Sequence, residues 1–231
     1  MTDITDHLAI IERRVAHTLA ACDRDNDPFI LLAVSKGQPV ESIAKASQLG
    51  IVNFGENYVD EAVQKISDLR NPALRWHFIG RVQSNKTRLI AEHFDWVHTL
   101  DRMRIAERLN AQRAPQADPL NVLIQLNLES EPQKAGIGES DLVELIRCID
   151  ELPRLKLRGF MTIPPAMLPL EELTAHFCRV RDLGQKFSTP SRRLDTLSMG
   201  MSKDFETAIR CGSTCIRVGT ALFGPRPTRG E

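Results

Sequence analysis

Eight short β-type runs alternate with amphipathic helical stretches, and this alternation limits the possible folds more than any other feature of the chain. The runs lie at 30–35, 51–55, 76–80, 96–100, 122–128, 157–162, 196–200 and 215–219. The first is continuously apolar through Val34, the pattern of a strand buried on both faces. Helical periodicity predicts helices at 39–50, 57–69, 84–93, 102–113, 139–151, 169–187 and 203–210, with Pro39 opening the first of these. A further helix at 5–22 precedes the first strand and places Leu8, Ile10, Ile11, Val15 and Leu19 on one face. Strict strand–helix alternation argues a parallel sheet. Eight units argue closure into a (β/α)8 barrel with one extra N-terminal helix, spanning 1–231 as one domain. The chain is somewhat shorter than the ~250 residues usual for such barrels, and a doubly wound open sheet is the alternative.

Charge and composition narrow the function. Thirty Lys+Arg balance 30 Asp+Glu, giving a formal net charge of zero. Neither a duplex-binding protein nor a membrane-surface protein is expected from that balance, since both need a basic excess. No apolar run approaches the ~20 residues of a membrane span, and the charged N-terminus has no secretory core. Five cysteines, an odd number in a chain of this length, read as reduced thiols in a cytoplasmic protein. Cys211 and Cys215 have the spacing of half a metal site, but no second Cys/His pair accompanies them. The tail after Gly224 is expected to fray.

In parallel barrels the chemistry sits at the carboxyl ends of the strands. Lys36 ends the first strand. Held near a low-dielectric interior, its ammonium is disfavoured and its amine can form a Schiff base with an aldehyde. The bland alternative is a lysine snorkelling into water. Ser202, after strand seven, is placed to cap the following helix. Gly219 and Thr220 follow Arg217 on strand eight. Loops after strands seven and eight commonly hold phosphate in such barrels, although ordinary turn chemistry accounts for the same residues. Closure would put strand eight beside strand one, and so Arg217 beside Lys36. An aldehyde-reactive lysine next to a phosphate cup fits pyridoxal 5′-phosphate (PLP) better than other common cofactors. A weaker reading is a barrel for nucleotides or sugar phosphates.

Six segments carry a resemblance: 33–36 (AVSK), 54–59 (FGENYV), 76–80 (WHFIG), 83–86 (QSNK), 197–202 (LSMGMS) and 217–220 (RVGT). Together, and in this order, they make the chain similar to the pyridoxal phosphate homeostasis protein family. The resemblance implies a TIM-type barrel of PLP fold type III, similar to the N-terminal domain of alanine racemase. It implies PLP held as a Schiff base on Lys36. It also implies phosphate contacts from Ser202, Gly219 and Thr220, Arg217 facing the pyridine nitrogen, and Asn57 lining the pocket. Lys134 matches a family lysine near the pocket mouth.

Two functions from different classes follow. One is a PLP carrier serving PLP-dependent apoenzymes, without turnover. The other is a PLP enzyme such as an amino-acid racemase. An arginine keeps its proton and so disfavours a protonated pyridine, which weakens the electron sink without excluding racemisation. Two-base racemisation also needs a second acid/base, supplied in alanine racemase by a tyrosine of an additional β-domain. The barrel is expected to use this chain to its end. Tyr58 is the one tyrosine, expected to be packed with its hydroxyl bonded. His77 could serve as a base, but in an aromatic strand it reads first as structural. A monomeric carrier is the expectation.

Overall fold

The computed structural model describes residues 3–129 and 135–225. Helix α1 (Ile4–Ala20) is followed by β1 (Ile30–Val34), α2 (Val40–Gln48), β2 (Asn53–Glu56) and α3 (Val59–Leu69). Next come β3 (Arg75–Phe78), a 3-10 turn (Ser84–Lys86), α4 (Thr87–His93), β4 (Trp96–Leu100), α5 (Met103–Gln112) and β5 (Leu120–Leu126). The order ends with α6 (Glu139–Asp150), β6 (Leu155–Thr162), α7 (Leu170–Phe187), β7 (Thr196–Met201), α8 (Phe205–Arg210), β8 (Cys215–Val218) and α9 (Thr220–Phe223). Every strand runs parallel to its neighbours, and β8 pairs with β1 to close the barrel. The open-sheet alternative is thereby excluded.

Local chemistry explains most boundaries, including those that differ from expectation. Asp3 caps α1, its carboxylate accepting from the Ile4 amide at 2.6 Å. Leu8, Ile11, Val15 and Leu19 are buried as expected, whereas Ile10 is 42% exposed and lies off that face. The second strand starts at Asn53 and not at 51, with Val52 exposed. Helix α8 begins at Phe205, because Asp204 and not Ser202 is its N-cap residue. Asp204 turns its carboxylate back to the Met201 amide. The short α9 was not expected; α1 packs on it, and His7 Nδ1 donates to Leu222 O at 2.9 Å.

Two apolar compartments result. The larger lies between strands and helices and includes Phe54, Phe78, Phe160 and Phe177, all fully buried. Each such side chain contributes roughly 1.5–3 kcal/mol of burial. The smaller lies inside the barrel and consists of Trp96, Leu123 and Met161, with Ile30 against them. The amino-terminal end is closed by Arg158, which stacks 4.8 Å over Trp96 and forks onto Asp195 at 2.9 and 3.0 Å. Beyond this cluster the interior mixes buried polar groups, His77, His98, Ser198 and Arg217, with Leu32.

Candidate functional site

The carboxyl ends of the strands open onto a cavity of about 230 Å³. Lys36, Asn57, Ser202, Arg217, Gly219 and Thr220, the six residues predicted from the sequence, all line it. Arg217 lies on β8 and the other five follow strands, so the six come from four strands adjacent around the barrel, β7, β8, β1 and β2. No carboxylate, imidazole or thiol is among the described lining residues, and the ionisable groups there are Lys36 and Arg217. The volume is below the ~300–1,000 Å³ common for drug-sized ligands. Such a cavity suits a compact anion.

Lys36 lies two residues beyond the end of β1 and is half-buried. The Ser35 amide donates to Gly55 O at 3.0 Å, which carries the β1–β2 ladder up to the residue before Lys36. Across the other edge of β1, Leu32 is the register partner of Arg217.

Arg217 is 5% exposed. Its Nη1 donates to Ser198 O at 2.7 Å and to Ser198 Oγ at 2.8 Å, and its Nη2 donates to Thr162 O at 2.8 Å. These bonds engage Nη1 and Nη2 and not Nε. Burial pulls the guanidinium below its ordinary value, with Cys215 and Asp204 opposing. Arginine starts so high that it stays charged.

Behind Arg217 runs a buried column. Ser198 Oγ lies 3.0 Å from His98 Nδ1, His98 Nε2 lies 2.9 Å from His77 Nδ1, and His77 Nε2 lies 3.1 Å from Asn53 Oδ1. His77 also stacks on Trp96 at 5.3 Å. Burial pushes His77 down to about 3 and His98 well below its ordinary value, so both rings are neutral. His77 is therefore a structural residue sealed in the barrel, absent from the described cavity lining.

Asn57 is held by its backbone. Gly80 packs so closely on it that a Cβ at position 80 would fall 2.1 Å from Asn57 O. This close approach explains why a glycine ends the 76–80 segment. The Asn57 side-chain Oδ1 is buried without a hydrogen-bond partner. An orphaned acceptor of this kind beside a cavity is where a ligand donor is wanted.

Gly200 shapes the loop after β7. Its φ of +96° is left-handed, and a Cβ there would lie 2.7 Å from the Ala208 Cβ. The chain can then bend over α8 and bring Ser202 to the cavity. After β8, Gly219 caps α9, whose first-turn amides precede any intrahelical acceptor.

A protein-family model described as "Alanine racemase, N-terminal domain" matches residues 29–227. The "Pyridoxal phosphate homeostasis protein" of Escherichia coli (strain K12) is 48% identical over 232 residues, covering 98% of both chains. The protein of the same name from Pasteurella multocida is 48% identical over 227 residues, covering 96% of this chain and 97% of that one. The chain belongs to the pyridoxal phosphate homeostasis protein family. The solved structure of PipY from Synechococcus elongatus PCC7942 with PLP bound is similar, with a TM-score of 0.79 and 38% identity. The match covers 91% of this chain and all of that one.

Other sequence-derived candidates fall elsewhere. Lys134 and the tail residues 226–231 lie outside the described residues. Tyr58 is 64% exposed and not packed as expected. Cys211 sits in the outer core, 3.3 Å from Cys178 Sγ, whereas Cys215 is on β8 close to Arg217 and Ser198. The two therefore do not converge, and burial pushes their thiols up to about 12 and about 11. Sequence reasoning did not place Gln38, Ile79, Met161, Ile163 and Met201 in the site, and with Val34 and Gly224 they complete the described lining. Alternation along buried parallel strands carries no sign of which residues point inward.

Proposed function

We propose that this chain is a PLP-binding homeostasis protein that holds the cofactor in the carboxyl-end cavity and does not turn it over. One observation carries the reading: an amine, a guanidinium and two glycine-shaped loops converge on one small, carboxylate-free cavity. When bound, PLP would supply an aldehyde carbon, and Lys36 would hold it there through its side-chain amine. Arg217, anchored through Nη1 and Nη2, would turn Nε–H toward the pyridine nitrogen. Ser202, Gly219 and Thr220 would take the phosphate with hydroxyl and backbone donors. Asn57 Oδ1, buried and unpartnered, is an acceptor for a donor on the ligand.

The absence of turnover is supported by the lining. Besides Lys36, the described lining residues include no carboxylate, imidazole or phenol to act as a second acid/base. We take the working form to be a monomeric cytoplasmic barrel spanning 1–231 that passes PLP to apoenzymes. All five cysteines are free thiols, and no described helix is long and apolar enough to cross a membrane.

The test is spectroscopic, then catalytic. PLP added to wild type should give an absorbance band near ~420 nm, and Lys36→Ala should lose it. An unchanged band in Lys36→Ala overturns the site. The loaded protein is then incubated with a panel of L-amino acids. D-isomer or carbon dioxide formed faster than with free PLP overturns the carrier reading in favour of a racemase or decarboxylase. PLP transfer to an apoenzyme without such products supports it.

A further inference from the structure

The peptide units on both sides of Lys36 are tied to one charge cluster, buried at Glu56 and Lys65 and partly exposed at Glu61. On the amino side, Ser35 O accepts from Lys65 Nζ at 2.8 Å. On the carboxyl side, the Gly37 amide donates to Glu61 Oε1 at 2.7 Å. The same Lys65 ammonium donates to Glu56 Oε1 at 2.7 Å and to Glu61 Oε1 at 2.6 Å. Ser35 Oγ also donates to Glu56 Oε1 at 2.7 Å. Three acceptors match the three donors of an ammonium.

Burial makes this arrangement expensive. Ser35 and Glu56 are fully buried, and Lys65 is 5% exposed on the inner face of α3. Desolvating such charges offsets most of their attraction, so a cluster of this kind is a poor source of net stability. What it supplies is geometry. It joins α3 to the backbone at 35 and 37 and fixes the left-handed turn at Gly37, whose φ is +69°. A lysine side chain has several free rotors, so its amine is directed only where its Cα is held.

We propose that Glu61 and Lys65 are positioning residues that clamp the backbone on either side of Lys36 and aim its amine into the cavity for capture of an aldehyde ligand. The proposal rests on the PLP reading above. Neither residue is among those described as lining the cavity, so both act through the Lys36 backbone.

The experiment follows band growth near ~420 nm by stopped flow, with PLP as the probe. It compares wild type, Glu61→Ala, Glu61→Gln and Leu145→Ala, the last a destabilising change in the outer core on α6. Glu61→Ala should slow capture by about tenfold or more, as misplacement of a reacting group does. Glu61→Gln, which keeps an acceptor for the Gly37 amide, should recover most of the rate. Leu145→Ala should lower Tm without slowing capture. The clamp is overturned if Glu61→Ala captures PLP at the wild-type rate, or slows it no more than Leu145→Ala. Amide exchange at Gly37 gives a reading that needs no ligand. Glu61→Ala should accelerate it selectively, and unchanged exchange overturns the clamp even if wild type forms no band. A missing wild-type band with accelerated exchange would instead sink the PLP reading and leave the clamp standing.

Discussion

His98 Nε2 and His77 Nδ1 lie 2.9 Å apart inside the barrel, so one ring must offer a bare nitrogen to the other's N–H. Asn53 decides which. Its Oδ1 can only accept, so the proton of His77 sits on Nε2. His77 Nδ1 then accepts from His98 Nε2–H. The Ser198 hydroxyl, which accepts from Arg217 Nη1, donates to His98 Nδ1. Every bond in the column points the same way, from the cavity toward the amino-terminal end. Both rings stay neutral, which keeps a second cation away from the buried guanidinium.

The neutral pair makes stability depend on pH. Unfolding frees both rings to ionise near their ordinary value of about 6.5, so below it the unfolded chain binds more protons. The contribution is fully present above pH 6.5 and is lost as pH falls toward about 3 for His77. Each ring should remove about 1.4 kcal/mol between pH 7.5 and 5.5. Urea unfolding at those two pH values should show the loss, and His77→Gln should remove about half of it. An equal pH dependence in the variant would show that these rings are not its source.

Among the described residues, the Ser198 side chain links Arg217 to the histidines. Ser198→Ala leaves Arg217 its two carbonyl acceptors but strips His98 Nδ1 of its donor. An unsatisfied buried acceptor costs about 1–3 kcal/mol. Chemical denaturation should show that loss, while PLP added in excess should still give its band, because the lysine and both loops are untouched. Unaltered stability would mean that the column is not closed through this hydroxyl.

Lys65 separates two kinds of buried charge. Lys65→Met removes the cation and leaves Glu56, whose carboxyl burial already pushes upward against the pull of Lys65. Breaking a buried pair by removing one partner costs about 3–5 kcal/mol. The double change Lys65→Met with Glu56→Gln should recover a good part of that, since no bare carboxylate remains. Thermal and urea unfolding of the two variants check the order, and a double variant no more stable than the single one would contradict it.

Much of this was legible because it is local. Alternating runs name the barrel, and the rule that chemistry follows strand ends picks out Lys36, Ser202 and Arg217. What was not legible is what closure brings together. Ser198 and His98 are one hundred residues apart and meet only through the barrel interior. Lys65, four residues after Glu61, reads as an ordinary surface pair on a helix, yet barrel packing turns it inward. The cap at α8 was misplaced for a different reason. Ser202 and Asp204 are both favoured N-cap residue types, and Asp204 takes the position while its carboxylate accepts from the Met201 amide and makes no side-chain bond to the helix. Tyr58 was expected to pack because tyrosines usually do, but its helix presents Val59 and Ala62 to the core instead.

Gly80 and Asn57 give a test that separates holding the site from filling it. A Cβ at position 80 would meet backbone atoms of Asn57 at 2.1, 2.8 and 2.9 Å, which no rotamer change relieves. Gly80→Ala must therefore displace one loop or the other, at a cost of about 1–3 kcal/mol. For a chain of this size each kcal/mol lowers Tm by about 2–4 °C. The same shift moves the Asn57 side chain away from the cavity, so affinity for PLP should fall with stability. Asn57→Ala removes only the orphaned Oδ1 and its amide, so it should weaken PLP binding while Tm stays within about 2 °C of wild type, as for most substitutions outside the core. Thermal melts and PLP titrations on the two variants give four numbers. Gly80→Ala with wild-type affinity would show that the loop contact does not place Asn57, and Asn57→Ala with wild-type affinity would show that its oxygen takes no part in binding.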